Sequence, residues 1–134
     1  MRKNQFESVR EAHASEKAQD YVEAISEIIA ESGECRLVDI ARRFAVTHVT
    51  ANRAVARLKR DGYATSEPYG PIKLTDDGKR LAEFSHKRHR IVAEFLLSIG
   101  VPEAVAENDA EGIEHHVSPE TLRAMAKFTK RKPE

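Results

Sequence analysis

Two short helical stripes stand between Leu37 and Arg60, joined only by Ala45, Val46 and Thr47. In the first, Leu37, Val38, Ile40, Ala41 and Phe44 fall on one face. In the second, Ala51, Ala54, Val55 and Leu58 point inward, leaving Val49, Thr50, Asn52, Arg53, Arg57 and Arg60 outward until Gly62 stops the helix. Thr47 is the natural N-cap, because its hydroxyl can accept from an otherwise unpaired amide of the first turn. A pair so tightly joined, with a wet and basic second member, predicts a helix-turn-helix.

The flanking segments extend that prediction. Tyr21, Val22, Ile25, Ile28 and Ile29 recur as an amphipathic helix starting near Ala18 and stopping at Gly33. After Gly62, YATSE and IKLT read as two strands around the breaker PYGP, with Ile72 and Leu74 inward, which is a β-hairpin wing. Thr75, Asp76 and Asp77 open a long helix with Leu81, Phe84, Ile91, Val92, Phe95, Leu96 and Ile99 on its buried side. Pro102 opens a further helix expected to reach about His116, and Ser118 caps a last one that begins at Pro119.

Acids and bases balance at 22 each, so the net charge names no partner, but the charges are segregated. Arg36 to Arg60 holds seven bases and one acid, Asp39, whereas Val101 to Glu120 holds six acids, two histidines and no lysine or arginine. One region suits phosphate and the other a cation. Thr47, His48, Thr50, Asn52 and Arg53 are placed to meet DNA at the front of the second helix, and Arg57, Lys59 and Arg60 to meet phosphates further along. Lys73 is the wing's cation.

MRKNQFESV lacks the apolar centre of a signal peptide, and IVAEFLL is too short to span a bilayer, so a cytoplasmic location and no membrane partner are expected. Cys35 stands alone and is expected to be a small, partly buried apolar residue rather than a disulfide or zinc ligand. The chain has no HExxH, nucleophile elbow or Gly-rich phosphate loop, which argues against an enzyme.

In EGIEHH, Glu111, Glu114 and His115 stand at i, i+3 and i+4, so they are expected to share one helical face. Asp20 and Glu23, also one turn apart, add two carboxylates, and His89 lies on the long helix on the side of Val92 and Leu96. With DYVE at 20 to 23, RHRIVAEFLL at 88 to 97 and DAEGIEHH at 109 to 116, the chain resembles the DtxR-type metal-dependent repressors, specifically their shorter manganese-responsive branch, from about Ala18 to Lys130.

That resemblance implies that Asp20, Glu23, His89, Glu111, Glu114 and His115 ligate a two-metal site, with Glu23 and Glu114 as bridges. In the iron-responsive relatives a methionine and a cysteine hold the positions of Asp20 and Glu111. Two hard carboxylates in their place favour Mn2+, which accepts higher coordination by oxygen. Glu107, Glu27 and His116 are read as surface or supporting residues. The wing tip departs from the family, carrying Tyr69, Gly70 and Pro71 instead of Arg-Gly.

The expected architecture is mainly α: an arm over residues 1–17, a winged helix-turn-helix DNA-binding domain over 18–75, and an all-α metal-binding and dimerisation domain over 76–134. The expected function is an Mn2+-activated homodimeric repressor of manganese-uptake genes that binds double-stranded operator DNA. Leu97, Val101, Val105 and Ile113 are expected to form the apolar dimer surface. The alternatives are an Fe2+-responsive repressor of the same family and a winged-helix regulator indifferent to metal.

Overall fold

A computed structural model describes residues 14–131. The expected arm over 1–17 falls largely outside them. Of its last residues, Ser15 caps a helix by accepting from the Ala18 amide, so α1 (Glu16–Ser32) starts two residues before the apolar pattern becomes visible. The chain forms two compact units, one through Phe84 and one from Ser85.

In the first unit, α1 buries Tyr21, Val22, Ala24, Ile25 and Ile28 and ends at Gly33, whose φ of 90° suits a residue without a Cβ. Then α2 (Leu37–Phe44) starts where the Arg36 amide donates to the Asp39 carboxylate at 2.8 Å. It ends at Ala45, which takes the left-handed φ of 54° needed to redirect the chain in three residues. The Thr47 hydroxyl accepts from the Thr50 amide at 3.1 Å and starts α3 (His48–Arg60). Ala51, Val55 and Leu58 pack into one core with Ile40, Ala41 and the apolar face of α1, with Ala54 partly buried beside them. This is the expected helix-turn-helix. Tyr21 and Phe44 add an aromatic contact with centroids 4.3 Å apart.

The wing is an antiparallel pair, β1 (Ala64–Ser66) and β2 (Ile72–Leu74), in the register Ala64 to Leu74, Thr65 to Lys73 and Ser66 to Ile72. Cys35 adds a single bridge to it, its carbonyl accepting from the Ile72 amide at 2.7 Å. The side chain is completely buried, not partly, because it packs into the first core with Ile40, Val55 and Ile72. Thr75 then joins the hairpin to α4 (Asp76–Ser98): its hydroxyl donates to the Gly62 carbonyl at 2.6 Å and accepts from the Gly78 amide at 3.0 Å. A Cβ on Gly78 would stand 2.0 Å from the Tyr63 carbonyl oxygen, so only glycine permits this approach. Leu81, Ala82 and Phe84 of α4 pack into the first core.

The second unit consists of the rest of α4, then α5 (Glu103–Ile113) and α6 (Pro119–Arg131). Its core is small, with Val92, Ala93, Ala110 and Leu122 buried and Ile91, Leu96, Ile113, Val117 and Met125 packed against them. Phe95 and Phe128 meet edge to face at 5.6 Å. The Ser118 hydroxyl accepts from the Thr121 amide at 3.1 Å, the cap expected from SPETL.

Three expectations fail here. Ile99 is 53% exposed, since it lies beyond the last helical residue of α4. Ile113 packs inward and is not part of an outer apolar face. The acidic helix stops at Ile113, and the amides of His115 and His116 turn back to the Gly112 and Ile113 carbonyls in a tightened last turn, so it does not run to His116. Among the described residues, no helix is long and apolar enough to cross a membrane.

Candidate metal centre and nucleic-acid interface

The early end of α5 changes how the acidic cluster is built. Glu111 remains on the helix and is exposed, while Glu114 sits on the terminating turn with His115 behind it and is only 1% exposed. A buried carboxylate is costly unless it is paired. His89 supplies the pair: its Nδ1 is hydrogen-bonded with Glu114 Oε1 at 2.7 Å and its Nε2 with Glu107 Oε1 at 2.8 Å. Glu111 Oε2 lies 3.6 Å from the same Nδ1, and His115 Nε2 lies 3.8 Å from Glu114 Oε2.

Burial of His89 works to lower its pKa, but the hydrogen bonds to Glu107 and Glu114 and the charges of Glu114 and Glu111 outweigh burial and raise it. Three carboxylates thus gather around a single imidazole ring. Hard carboxylate oxygens and an imidazole nitrogen are also the donors a divalent cation selects, and ligand atoms of His89, Glu111 and Glu114 all lie within 4.8 Å of one another. The donor set fits such an ion, provided that His89 gives up the proton on the coordinating nitrogen.

A buried arginine holds the turn that presents Glu114. Arg88, 7% exposed, donates through Nε and Nη2 to the Glu114 carbonyl and through Nη2 to the Val117 carbonyl at 3.1 Å. Arg88 escapes the sequence reading as a site residue, whereas Glu107 is read there as a surface or supporting one. Glu107 nevertheless stands four residues before Glu111 and seven before Glu114, and Arg88 continues the buried stripe of Leu81, Ser85 and Val92.

Of the remaining expected ligands, Asp20 and Glu23 lie one turn apart on α1 and are half-buried, in the first unit. Glu27, on the same helix, pairs with Arg43 at 2.8 Å and so ties α1 to α2.

Thr47, which caps α3, and His48, Thr50, Asn52, Arg53, Arg57, Lys59 and Arg60 on it are exposed, as is Lys73 on the wing. Val49 is also 62% exposed, which leaves an apolar contact among the polar ones at the front of the helix. Lys59 Nζ donates to the Ser66 hydroxyl at 3.0 Å, bracing the recognition helix against β1. This surface presents what a duplex reader needs: short polar groups at the start of a helix and long cations along its flank.

A winged helix-turn-helix followed by a helical unit with a carboxylate and histidine cluster defines a metal-responsive transcriptional repressor. Residues 13–72 match the iron dependent repressor N-terminal DNA binding domain, and residues 75–133 match the iron dependent repressor metal binding and dimerisation domain. The chain is 48% identical over 124 residues to the transcriptional regulator MntR of Salmonella typhimurium, covering 92% of this chain and 79% of the relative. The structure of IdeR from T. acidophilum is similar at a TM-score of 0.73 and 30% identity, covering 84% of this chain and 53% of that one. A manganese-dependent transcriptional repressor in complex with manganese is similar at a TM-score of 0.73 and 26% identity, covering 86% and 53%. The chain thus spans about half the length of these two solved relatives. It belongs to the DtxR family of metal-dependent transcriptional repressors.

Proposed function

We propose that this protein is a cytoplasmic, homodimeric, non-enzymatic repressor that Mn2+ activates for operator binding, and that it controls manganese-uptake genes. The observation that carries the reading is the convergence of Glu111 and Glu114 on His89, an oxygen-rich donor set without sulfur. Hard oxygen donors favour Mn2+ over softer ions by ligand type and coordination number, since raw affinity places Mn2+ at the weak end of the divalent series. The relative with manganese in its structure supports the same metal.

In this reading His89, Glu111, Glu114 and His115 hold the ion together with Asp20 and Glu23 of α1. The bound ion supplies a positive charge that links carboxylates distant in sequence. Arg88 keeps the Glu114 turn in place, and Glu107 orients the His89 ring through its other nitrogen. Domains over 18–75 and 76–134 fit DNA reading and dimerisation respectively. Leu97, Val105 and Phe128, exposed on the second unit, are the proposed apolar contacts between subunits. Ordering one domain against the other would raise DNA affinity by about five- to over a hundredfold, the usual range of allosteric coupling.

Anaerobic titration of apo-protein on labelled promoter DNA with Mn2+, Fe2+ and Zn2+ in turn tests this. Tightest binding with Mn2+ is expected. Equal affinity with and without every metal would instead identify a metal-independent regulator, and stronger activation by Fe2+ an iron-responsive one.

A further inference from the structure

Tyr69, at the tip of the wing, is completely exposed and has a φ of 61°. It occupies the third position of a turn closed by the Gly70 amide donating to the Glu67 carbonyl at 2.8 Å, with Pro68 before it. A positive φ at that position after proline is the type II pattern, which favours glycine or asparagine. Here the chain places an aromatic ring in a strained conformation where it packs against nothing, so neither turn geometry nor core packing accounts for it.

The tip is also held in position. Arg36 Nη1 donates to the Tyr69 carbonyl at 3.1 Å, while Arg36 Nε is paired with Glu34 at 2.7 Å. Pro68 and Pro71 stiffen both sides of the turn, and the Lys59 to Ser66 bond fixes the near strand. Between this braced tip and α3 runs a groove lined by Arg36, His48, Asn52, Lys59, Ser66 and Tyr69. The groove is continuous with the outward face of α3, and its cations suit a phosphate backbone.

The geometry points to Tyr69 as the wing's DNA contact: its ring lies on a deoxyribose of the backbone flanking the groove that α3 reads, and its hydroxyl donates to a phosphate oxygen. The inference rests on the DNA-binding reading above and extends it to the exposed aromatic residue at the wing tip. Apolar burial of the ring would then add to affinity independently of salt, unlike an ion pair.

The test uses the full chain loaded with Mn2+, and a duplex that the wild-type protein itself selects from a random DNA library. Tyr69→Gly and Tyr69→Ala should each weaken binding about tenfold, and Tyr69→Phe about threefold, with the slope of affinity against salt nearly unchanged. Tyr69→Gly should melt no lower than wild type, since glycine suits the turn, which separates lost contact from lost fold. Hydroxyl-radical footprints should lose protection at the outer edges of the site and keep it at the centre. Wild-type affinity and footprint in both Tyr69→Gly and Tyr69→Ala would overturn the inference while leaving the repressor reading intact. A wild-type protein that selects no duplex with any metal would overturn both.

Discussion

Nε of Arg88 donates to the backbone carbonyl of Glu114 at 2.9 Å, so a buried cation on α4 fixes the turn that carries the most buried carboxylate of the candidate metal centre. Replacing Arg88 with methionine keeps the apolar stem but leaves the Glu114 and Val117 carbonyls without this donor. Each buried unsatisfied acceptor costs about 1–3 kcal/mol, so a loss of a few kcal/mol in stability is expected in urea unfolding. Calorimetric titration with Mn2+, run where the variant is still folded, should show weaker binding. Unchanged metal affinity would mean that the turn holds Glu114 without help from Arg88.

Glu107 offers the opposite separation of effects. It is exposed, and its carboxylate accepts from His89 Nε2, so Glu107→Gln should barely alter stability while weakening metal binding about 10- to 100-fold through poorer orientation of the ring. Glu114→Gln removes a proposed ligand itself and should weaken binding further. Equal metal affinity in Glu107→Gln and wild type would reduce the His89–Glu107 bond to a feature of the metal-free protein.

Arg88 marks where the sequence stops being readable. The helix-turn-helix was legible because Ala51, Val55 and Leu58 repeat at helical spacing and Thr47 can cap, both local properties. Thr75 and Ser118 were legible for the same reason. The end of α5 was not, because Gly112 lies inside the helix rather than after it, and the donor to the Glu114 carbonyl comes from a residue 26 positions away. Glu111 and Glu114 converge as their spacing suggests, but Glu114 does so as the cap of α5, one residue past its last turn. Partial burial of Cys35 was legible, but its bridge to Ile72 was not, since a single bridge has no periodicity.

Burial pushes the Cys35 thiol up to about 11, with the charge of Asp39 adding to the rise and that of Arg43 opposing it. The native thiol should therefore resist aromatic disulfide reagents at pH 8 and react once the chain is unfolded. The unfolded thiol titrates near its ordinary value of about 8.5, so the unfolded state loses its proton first. Stability from this group is then complete below that value and declines as pH rises toward about 11, by at most about 1.4 kcal/mol per unit. Comparing urea midpoints of wild type and Cys35→Ala at pH 8 and pH 10.5 isolates the effect. A free thiol that reacts rapidly in the native protein would show that the segment around Cys35 opens.

Position along α3 separates two kinds of DNA contact. Arg57, Lys59 and Arg60 are exposed in the last turns, where the proposed reading has them meet phosphates, whereas Thr50, Asn52 and Arg53 stand nearer the capped end, where it has them meet base edges. Arg57→Ala should weaken binding to operator and unrelated duplexes alike and flatten the plot of log affinity against log salt by about one per subunit. Asn52→Ala should weaken operator binding by about 1–3 kcal/mol per half-site, leave unrelated DNA nearly unaffected and keep the slope. Fluorescence anisotropy on both duplexes across a salt series reads all four quantities. If Asn52→Ala lost affinity equally on both duplexes, α3 would be gripping the backbone along its whole length, and the sequence discrimination of this repressor would have to come from the shape and bending of the DNA.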